Sequence, residues 1–224
     1  MAKISVLILA KNEEKNIADC IKSVAFADEV VVIDDFSEDT TAAIAEGLGA
    51  RVVQRAMKGN WGEQQTFAIK QASYDWVFFI DADERASKRL AAKVREVVAA
   101  DDRRYAYNIA RLNYFWEQPL RHGGWFPDYG MHLLPREGVY VTGFVHPQIH
   151  HTYEEKHLLK QEHIIHYPYR DWEHYFNKLN LYTTLAAKKM KEQGKSAHLG
   201  DFILHPAWAS FRMYVLKGGW RDGR

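Results

Sequence analysis

Apolar positions along the chain fall into short continuous runs separated by stretches with helical spacing. Residues 4–10 form an apolar run, 13–25 carry apolar residues at helical intervals, and 29–33 are again rich in β-branched types. The polar turn Asp34-Asp35-Phe36-Ser37-Glu38-Asp39 closes this β-α-β unit. Residues 40–48 then predict a second helix closed by Gly49, 51–54 a third strand and 62–72 a third helix. The run Trp76-Val77-Phe78-Phe79-Ile80 is too short for a buried helix, and it reads as a strand covered on both faces of a parallel sheet. Residues 87–99 add a helix whose buried stripe is Leu90, Val94, Val97 and Val98. Such alternation predicts an α/β chain with a mostly parallel, doubly wound sheet flanked by helices and joined by right-handed crossovers.

The pattern changes toward the C-terminus, where a helical extension is expected over 171–224. Residues 171–193 predict one long helix with Tyr175, Leu179, Tyr182 and Leu185 on one face and Lys188, Lys189 and Lys191 near its end. Residues 202–216 are aromatic and aliphatic, but too short and too charged for the ~20 apolar residues of a membrane span. Two readings stand for this segment. It lies on an anionic membrane surface, helped by Arg212 and Lys217, or it packs onto the main domain or a second subunit.

Composition narrows the class. A length of 224 residues suits one large domain or a domain with an appendage, and a formal charge of +1 argues against a nucleic-acid partner. Cys20 is the only cysteine; it shares a helical face with Ile17, Ile21 and Val24, as a buried structural thiol would. No disulfide can form within the chain, and Met1-Ala2-Lys3 runs straight into the first strand without a signal-peptide pattern. A cytoplasmic location is expected, at most at the inner face of a membrane.

The candidate chemistry sits at predicted strand ends. Asp81 and Asp83 follow the buried strand, spaced by two, at the end of the sheet where open α/β folds bind ligands. Two carboxylates so close repel unless a cation shares them, and Mg²⁺ or Mn²⁺ takes carboxylate together with phosphate oxygens. A solvated acidic loop before a helix capped at Ser87 is the plainer alternative. On the same rim lie Ala10-Lys11-Asn12-Glu13, at a helix start whose free N–H groups suit phosphate, and Asp34 and Asp35, which suit a base or ribose. Each of these could instead cap a helix or make a turn. No Gly-x-Gly-x-x-Gly or Walker lysine motif follows the first strand, which disfavours a dinucleotide or P-loop site.

Four of these segments in this order resemble the family 2 glycosyltransferases with the Rossmann-like GT-A fold. They are Ile4-Ser5-Val6 with Lys11-Asn12-Glu13-Glu14; Val32-Ile33-Asp34-Asp35-Phe36-Ser37-Glu38-Asp39-Thr40; residues 62–68; and Phe79-Ile80-Asp81-Ala82-Asp83-Glu84. The second half is similar to a subgroup that includes lipopolysaccharide core β-glucosyltransferases, through Arg121-His122-Gly123-Gly124-Trp125-Phe126-Pro127-Asp128-Tyr129, Val145-His146 and His166-Tyr167-Pro168-Tyr169. The chain departs from that subgroup at Val145-His146-Pro147, where Glu is usual in place of Pro, and at Gln64-Gln65-Thr66, where a basic residue and Asn are common after the first Gln.

The resemblance implies an inverting enzyme that moves a sugar, glucose or another hexose, from a UDP-linked donor to a glycan or glycolipid acceptor such as lipopolysaccharide core. It implies a catalytic domain over 1–170, with a nucleotide-sugar half over 1–100 and an acceptor half over 101–170. Ala10, Lys11, Asn12, Glu13, Asp34, Asp35, Gln64, Asp81 and Ala82 would meet the donor. Asp81, Asp83 and His146 would hold a divalent metal, with His166 as the other candidate imidazole among eleven histidines that all lie beyond residue 121. Gly123, Gly124 and Trp125 would form an acceptor pocket, glycine allowing close approach and the indole facing a sugar ring. Asp128 would be the base that takes the acceptor hydroxyl's proton; a Gly-Gly turn with Trp125 as core is the alternative. Two other functions compete: a metal-dependent nucleotidyltransferase and a non-catalytic nucleotide-sugar-binding protein.

Overall fold

The structure, a computed structural model, describes residues 1–144, 147–169, 171–194, 196, 198 and 200–223, with the side chain of Lys189 left out. The chain runs β1 (Ile4–Ala10), α1 (Ile17–Ser23), β2 (Glu29–Asp34), α2 (Thr41–Gly47), β3 (Arg51–Gln54), α3 (Trp61–Gln71), β4 (Trp76–Asp81), β5 (Glu84–Ala86) and α4 (Lys88–Ala100). There follow β6 (Tyr105–Phe115), β7 (Gln118–Pro119), β8 (Asp128–Pro135), β9 (Tyr140–Thr142), β10 (Gln148–His150), β11 (Glu154–His157) and β12 (His163–His166). Last come α5 (Trp172–Glu192), α6 (Asp201–Phe211), a π-helical turn over Arg212–Leu216 and a 3₁₀ turn over Gly219–Asp222. The chain divides into two compact units, one of residues 1–111 and 128–166, the other of 112–127 and 167–224.

In the first unit the sheet has the order β3-β2-β1-β4-β8-β6-β12-β5, with β11 on β6. Strands β1 to β4 pair in parallel, as the alternating pattern predicts. Beyond β4 the pairing turns antiparallel at β8, β6 and β5, while β11 adds to β6 in parallel, so the sheet is mixed outside its β1–β4 base. Successive side chains of β1 and β4 point to opposite faces, which splits the interior into two layers. Val6, Ile8, Trp76 and Phe78 pack with Cys20, Leu90 and Val94 on one side, while Leu7, Val77 and Phe79 pack with Val31, Ala68 and Leu134 on the other. Phe78 is fully buried, a gain of about 1.5–3 kcal/mol for such a side chain. The parallel strands thereby become a rigid base with all their carboxyl ends on one edge.

Helix α1 begins at Ile17, preceded by a turn in which the amides of Asn16 and Ile17 donate to the Glu13 carbonyl at 2.9 and 2.8 Å. The N–H groups of Asn12, Glu13 and Glu14 donate to Ser37 Oγ, Thr41 Oγ1 and Asp39 Oδ2 at 2.9, 2.7 and 3.1 Å, and Asn12 sits at φ +54°. Helix α4 is capped as expected, Ser87 Oγ accepting from the Leu90 amide.

In the second unit, the end of β6 pairs with β7, and Phe115, Trp116, Tyr169, Trp172 and Tyr175 form an aromatic cluster. The stripe expected on α5 is not buried: Leu179 and Tyr182 stay exposed. Helix α6 has no buried residue at all, with Phe202, Ile203, Leu204 and Trp208 open to solvent. No described helix is long and apolar enough to cross a membrane.

Candidate active site

Three adjacent parallel strands set one rim. Register pairs Ala10 with Asp34 and Leu9 with Asp81, so the ends of β1, β2 and β4 lie side by side. Lys11 Nζ donates to Asp35 Oδ2 at 3.1 Å, and Asp35 Oδ1 accepts from the Met57 amide at 2.9 Å. Asp34 is fully buried, its carboxylate engaged by Ser37 and by Gln54 Nε2 at 3.3 Å. Asp34 therefore builds the loop, while Asp35 and the more exposed Lys11 form an ion pair on the rim. Gln64 is also buried, bonded through both amide ends to Arg55. The expectation that the Lys11–Glu13 loop offers free amides to phosphate is corrected here, since side chains of the following loop already occupy the amides of Asn12 and Glu13. Ala10 is buried with its carbonyl accepting from the Asp35 amide at 2.9 Å, and Ala82 is buried too.

The acidic turn after β4 is strongly structured. Cys20 Sγ donates to the Asp81 carbonyl at 3.4 Å, confirming a buried structural thiol; burial pushes that thiol well above its usual range. Glu84, fully buried, accepts from the Asp81 amide at 3.0 Å. Burial, and then the charge of Asp81, push Glu84 up to about 7, against the opposing pull of His166 and Arg111. His166 Nε2 lies 3.5 Å from Asp83 Oδ2. Burial resists charging of that imidazole, but its bond to Asp83 and the charges of Asp83 and Glu84 outweigh it and hold its pKa up. Among the described residues no three His, Cys, Asp or Glu side chains gather into a cluster that would hold an ion unaided. His146 lies outside the described residues. A pair of carboxylates backed by an imidazole fits Mg²⁺ or Mn²⁺ completed by phosphate oxygens, since such ions bind through one or two carboxylates plus substrate phosphates.

Asp128 opens β8 directly across from Arg111 on β6. Arg111 Nε and Nη2 both bond Asp128 Oδ2, at 3.0 and 2.7 Å, and Nη1 stands 3.5 Å from Glu84 Oε1. This one arginine thus joins the buried acid behind Asp81 to the half-exposed Asp128. The sequence named Asp128 and Glu84 but gave no sign of Arg111, because the link depends on strand register. A cleft of about 370 Å³ opens here, lined by Asp81, Glu84, Arg111, Gln65, Asn108 and His151 among others. A larger one of about 480 Å³ lies around Asp75, Arg103 and Arg136. It opens at the amino end of β4, the edge away from the ligand-binding rim of such sheets.

The glycine pair belongs to the second unit. Gly123 and Gly124 have φ of +66° and +88°, and Gly123 N–H donates to the Lys217 carbonyl at 3.0 Å. A Cβ on Gly124 would strike the Lys217 side chain. His122 is fixed by Asp222, whose oxygens meet its backbone N and ring Nδ1 at 2.7 and 2.6 Å. The glycines thus serve close packing against the C-terminal turn, whereas Trp125 remains 41% exposed and able to meet a ligand.

The family described as glycosyl transferase family 2 matches residues 5–219. An uncharacterized glycosyltransferase of Rickettsia felis is 31% identical, spanning 97% of this chain and 80% of that protein. The lipopolysaccharide core biosynthesis glycosyltransferase LpsC of Rhizobium meliloti is 30% identical, spanning 98% and 83%. The crystal structure of S. aureus TarS 1–349 in complex with UDP-GlcNAc is similar at a TM-score of 0.53 and 19% identity, over 77% of this chain and 60% of that one. At that identity the likeness is one of fold.

Proposed function

The chain belongs to glycosyl transferase family 2 and is a glycosyltransferase, and from that premise we propose an inverting transfer of a hexose from a UDP-linked donor to a glycan or glycolipid acceptor. The observation that carries this reading is the convergence of Lys11, Asp35 and Asp81 at the ends of three neighbouring strands, with Asp128 held across the β6–β8 ladder in the same unit.

Asp35 and Lys11 contact the base and ribose, while Asp34 and Gln64 keep the loops that present them in shape. Asp81 and Asp83 hold a divalent ion, Mg²⁺ or Mn²⁺, which when bound supplies positive charge for the leaving diphosphate. His166 orients Asp83, as hydrogen-bonded partners of ligating carboxylates do. Asp128 takes the proton of the acceptor hydroxyl through Oδ1, the oxygen that Arg111 does not bond. A lipopolysaccharide core acceptor is supported by the name of the R. meliloti relative.

Residues 112–127 and 167–224 carry eleven Lys and Arg against six Asp and Glu, whereas the rest of the chain carries 19 against 23. With the bare apolar residues of α6, this charge suits contact with an anionic membrane surface where a glycolipid acceptor resides.

The test is thermal stabilisation by a panel of nucleotide-diphosphate sugars, with Mg²⁺ or Mn²⁺ and with excess chelator. A rise in melting temperature with one nucleotide class, lost on chelation, is expected, because a ligand that binds only the folded state stabilises it by mass action. No response to any member of the panel would overturn the reading.

A further inference from the structure

Among the described residues one buried side-chain oxygen or nitrogen has no hydrogen-bond partner, Gln65 Oε1. Its neighbour on α3 makes the contrast: Gln64 is bonded through Oε1 to Arg55 Nη1 at 2.6 Å and through Nε2 to the Arg55 carbonyl at 2.8 Å. An orphaned buried acceptor is costly, and such groups in native proteins call for a reason. Gln65 lines the 370 Å³ cleft that also contains Asp81, Glu84 and Arg111.

The rest of the wall says what the cleft admits. Asn108 Nδ2 donates to Glu155 Oε2 at 2.7 Å, and His151 Nε2 stands 3.8 Å from Glu155 Oε1, so this side is polar and already internally bonded. Phe79, Met131 and Ile149 give it apolar surface as well. Arg111, a cation on this wall, is already engaged by Asp128 and Glu84, so an amide acceptor beside the Glu155 carboxylate gives a phosphate little hold. It suits an uncharged ring that presents hydroxyl donors above a nonpolar face. The volume lies within the ~300–1,000 Å³ of small-molecule pockets. Turning the Gln65 amide toward such a ring requires rotation about its last torsion, which is broad and weakly restrained.

We propose that this cleft receives the hexose of the donor and that Gln65 accepts a hydrogen bond from one of its hydroxyls, making Gln65 a sugar-specificity residue. The inference rests on the nucleotide-sugar reading above and deepens it. The orphaned oxygen is then satisfied only in the complex, so its cost in the free protein becomes discrimination for the sugar that supplies the hydroxyl.

Wild type and Gln65→Met are compared by calorimetric titration with UDP, UDP-glucose and UDP-GlcNAc in Mn²⁺, alongside their melting temperatures. Methionine keeps the length and removes the unbonded oxygen. The expected result is unchanged affinity for UDP, a loss of about 3- to 10-fold for the preferred UDP-sugar, as one hydrogen bond commands, and a melting temperature equal to or above that of wild type. Equal weakening toward UDP and the UDP-sugars, or a lowered melting temperature with the sugar preference intact, would assign Gln65 a structural role and overturn the inference. Failure of wild type to bind UDP at all would instead remove the nucleotide reading, and this inference with it.

Discussion

Arg111 grips Asp128 by one oxygen only: Nε and Nη2 both reach Oδ2, and neither bonds Oδ1. Fixing one oxygen orients the other. Asp128→Asn preserves the shape and removes the proton acceptor, so turnover is expected to fall by roughly 10²–10⁴-fold with little change in donor affinity. Because the ion pair is partly solvated, 32% and 42% exposed, its loss should cost no more than about 1 kcal/mol of stability. Near-normal turnover in the variant, measured under saturating donor, would move the base elsewhere.

Asp35 gives a second prediction. Its carboxylate ties Lys11 to the Met57 amide, and both loops border the rim. Asp35→Ala should weaken nucleotide binding by about 1–3 kcal/mol, the range for leaving a buried partner unpaired, without altering the metal requirement. An unchanged dissociation constant for the nucleotide would reduce Asp35 to turn chemistry.

Stability against pH provides a third. Glu29 accepts from Ser5 Oγ, from the amide and hydroxyl of Ser73 and from Arg51; burial opposes its charge, but these bonds prevail and hold it down at about 2. A depressed acid contributes stability that is present above its unfolded value near 4.5 and lost as pH falls toward 2. His132, pushed down to about 4 by burial, also loses stability as pH falls from 6.5, while Glu84, raised to about 7, gains over nearly the same window. The two oppose each other between 6.5 and 4.5, and below 4.5 the loss from Glu29 adds to the acid limb. Glu29→Gln should lose up to about 3 kcal/mol at neutral pH and show a shallower acid limb in denaturant titrations. An acid limb as steep as that of wild type would contradict this account.

The fourth prediction concerns α6. Leu204 and Trp208 are 68% and 58% exposed, so Leu204→Glu with Trp208→Glu removes no buried packing beyond the exposed Trp208–Phe211 ring contact. Wild type should float with phosphatidylglycerol vesicles at low salt, release at high salt, and ignore phosphatidylcholine; the double variant should stay in solution. If wild type fails to float while the double variant changes its oligomeric state in light scattering, α6 joins subunits instead.

The parallel half of the sheet was legible in the sequence because its signals are local. The run 4–10 and the strand 51–54 match β1 and β3 residue for residue, and Asp81 stands at the strand end where the buried run predicts it. What holds the loop before α1 was not legible, since Ser37, Asp39 and Thr41, some 25 residues away, take its amides. The same holds for Arg111: its partner is 17 residues off, and only antiparallel register brings the two together. The stripe on α5 had the right period, but period alone does not say whether anything covers it. Gly62 looked like an ordinary helix start, yet a Cβ there would come 2.6 Å from the Thr142 carbonyl carbon, so the turn after β9 can rest on α3 only because that position is bare.

The thiol under the acidic turn has a practical corollary. Cys20 is the sole cysteine, has no solvent-exposed surface, and is kept from becoming a thiolate by its surroundings. Alkylating reagents can therefore reach it only when α1 lifts from the end of β4. The rate of labelling at this one native sulfur, followed by mass spectrometry, becomes a clock for opening of the edge that carries Asp81. A bound donor should slow that clock without any engineered probe.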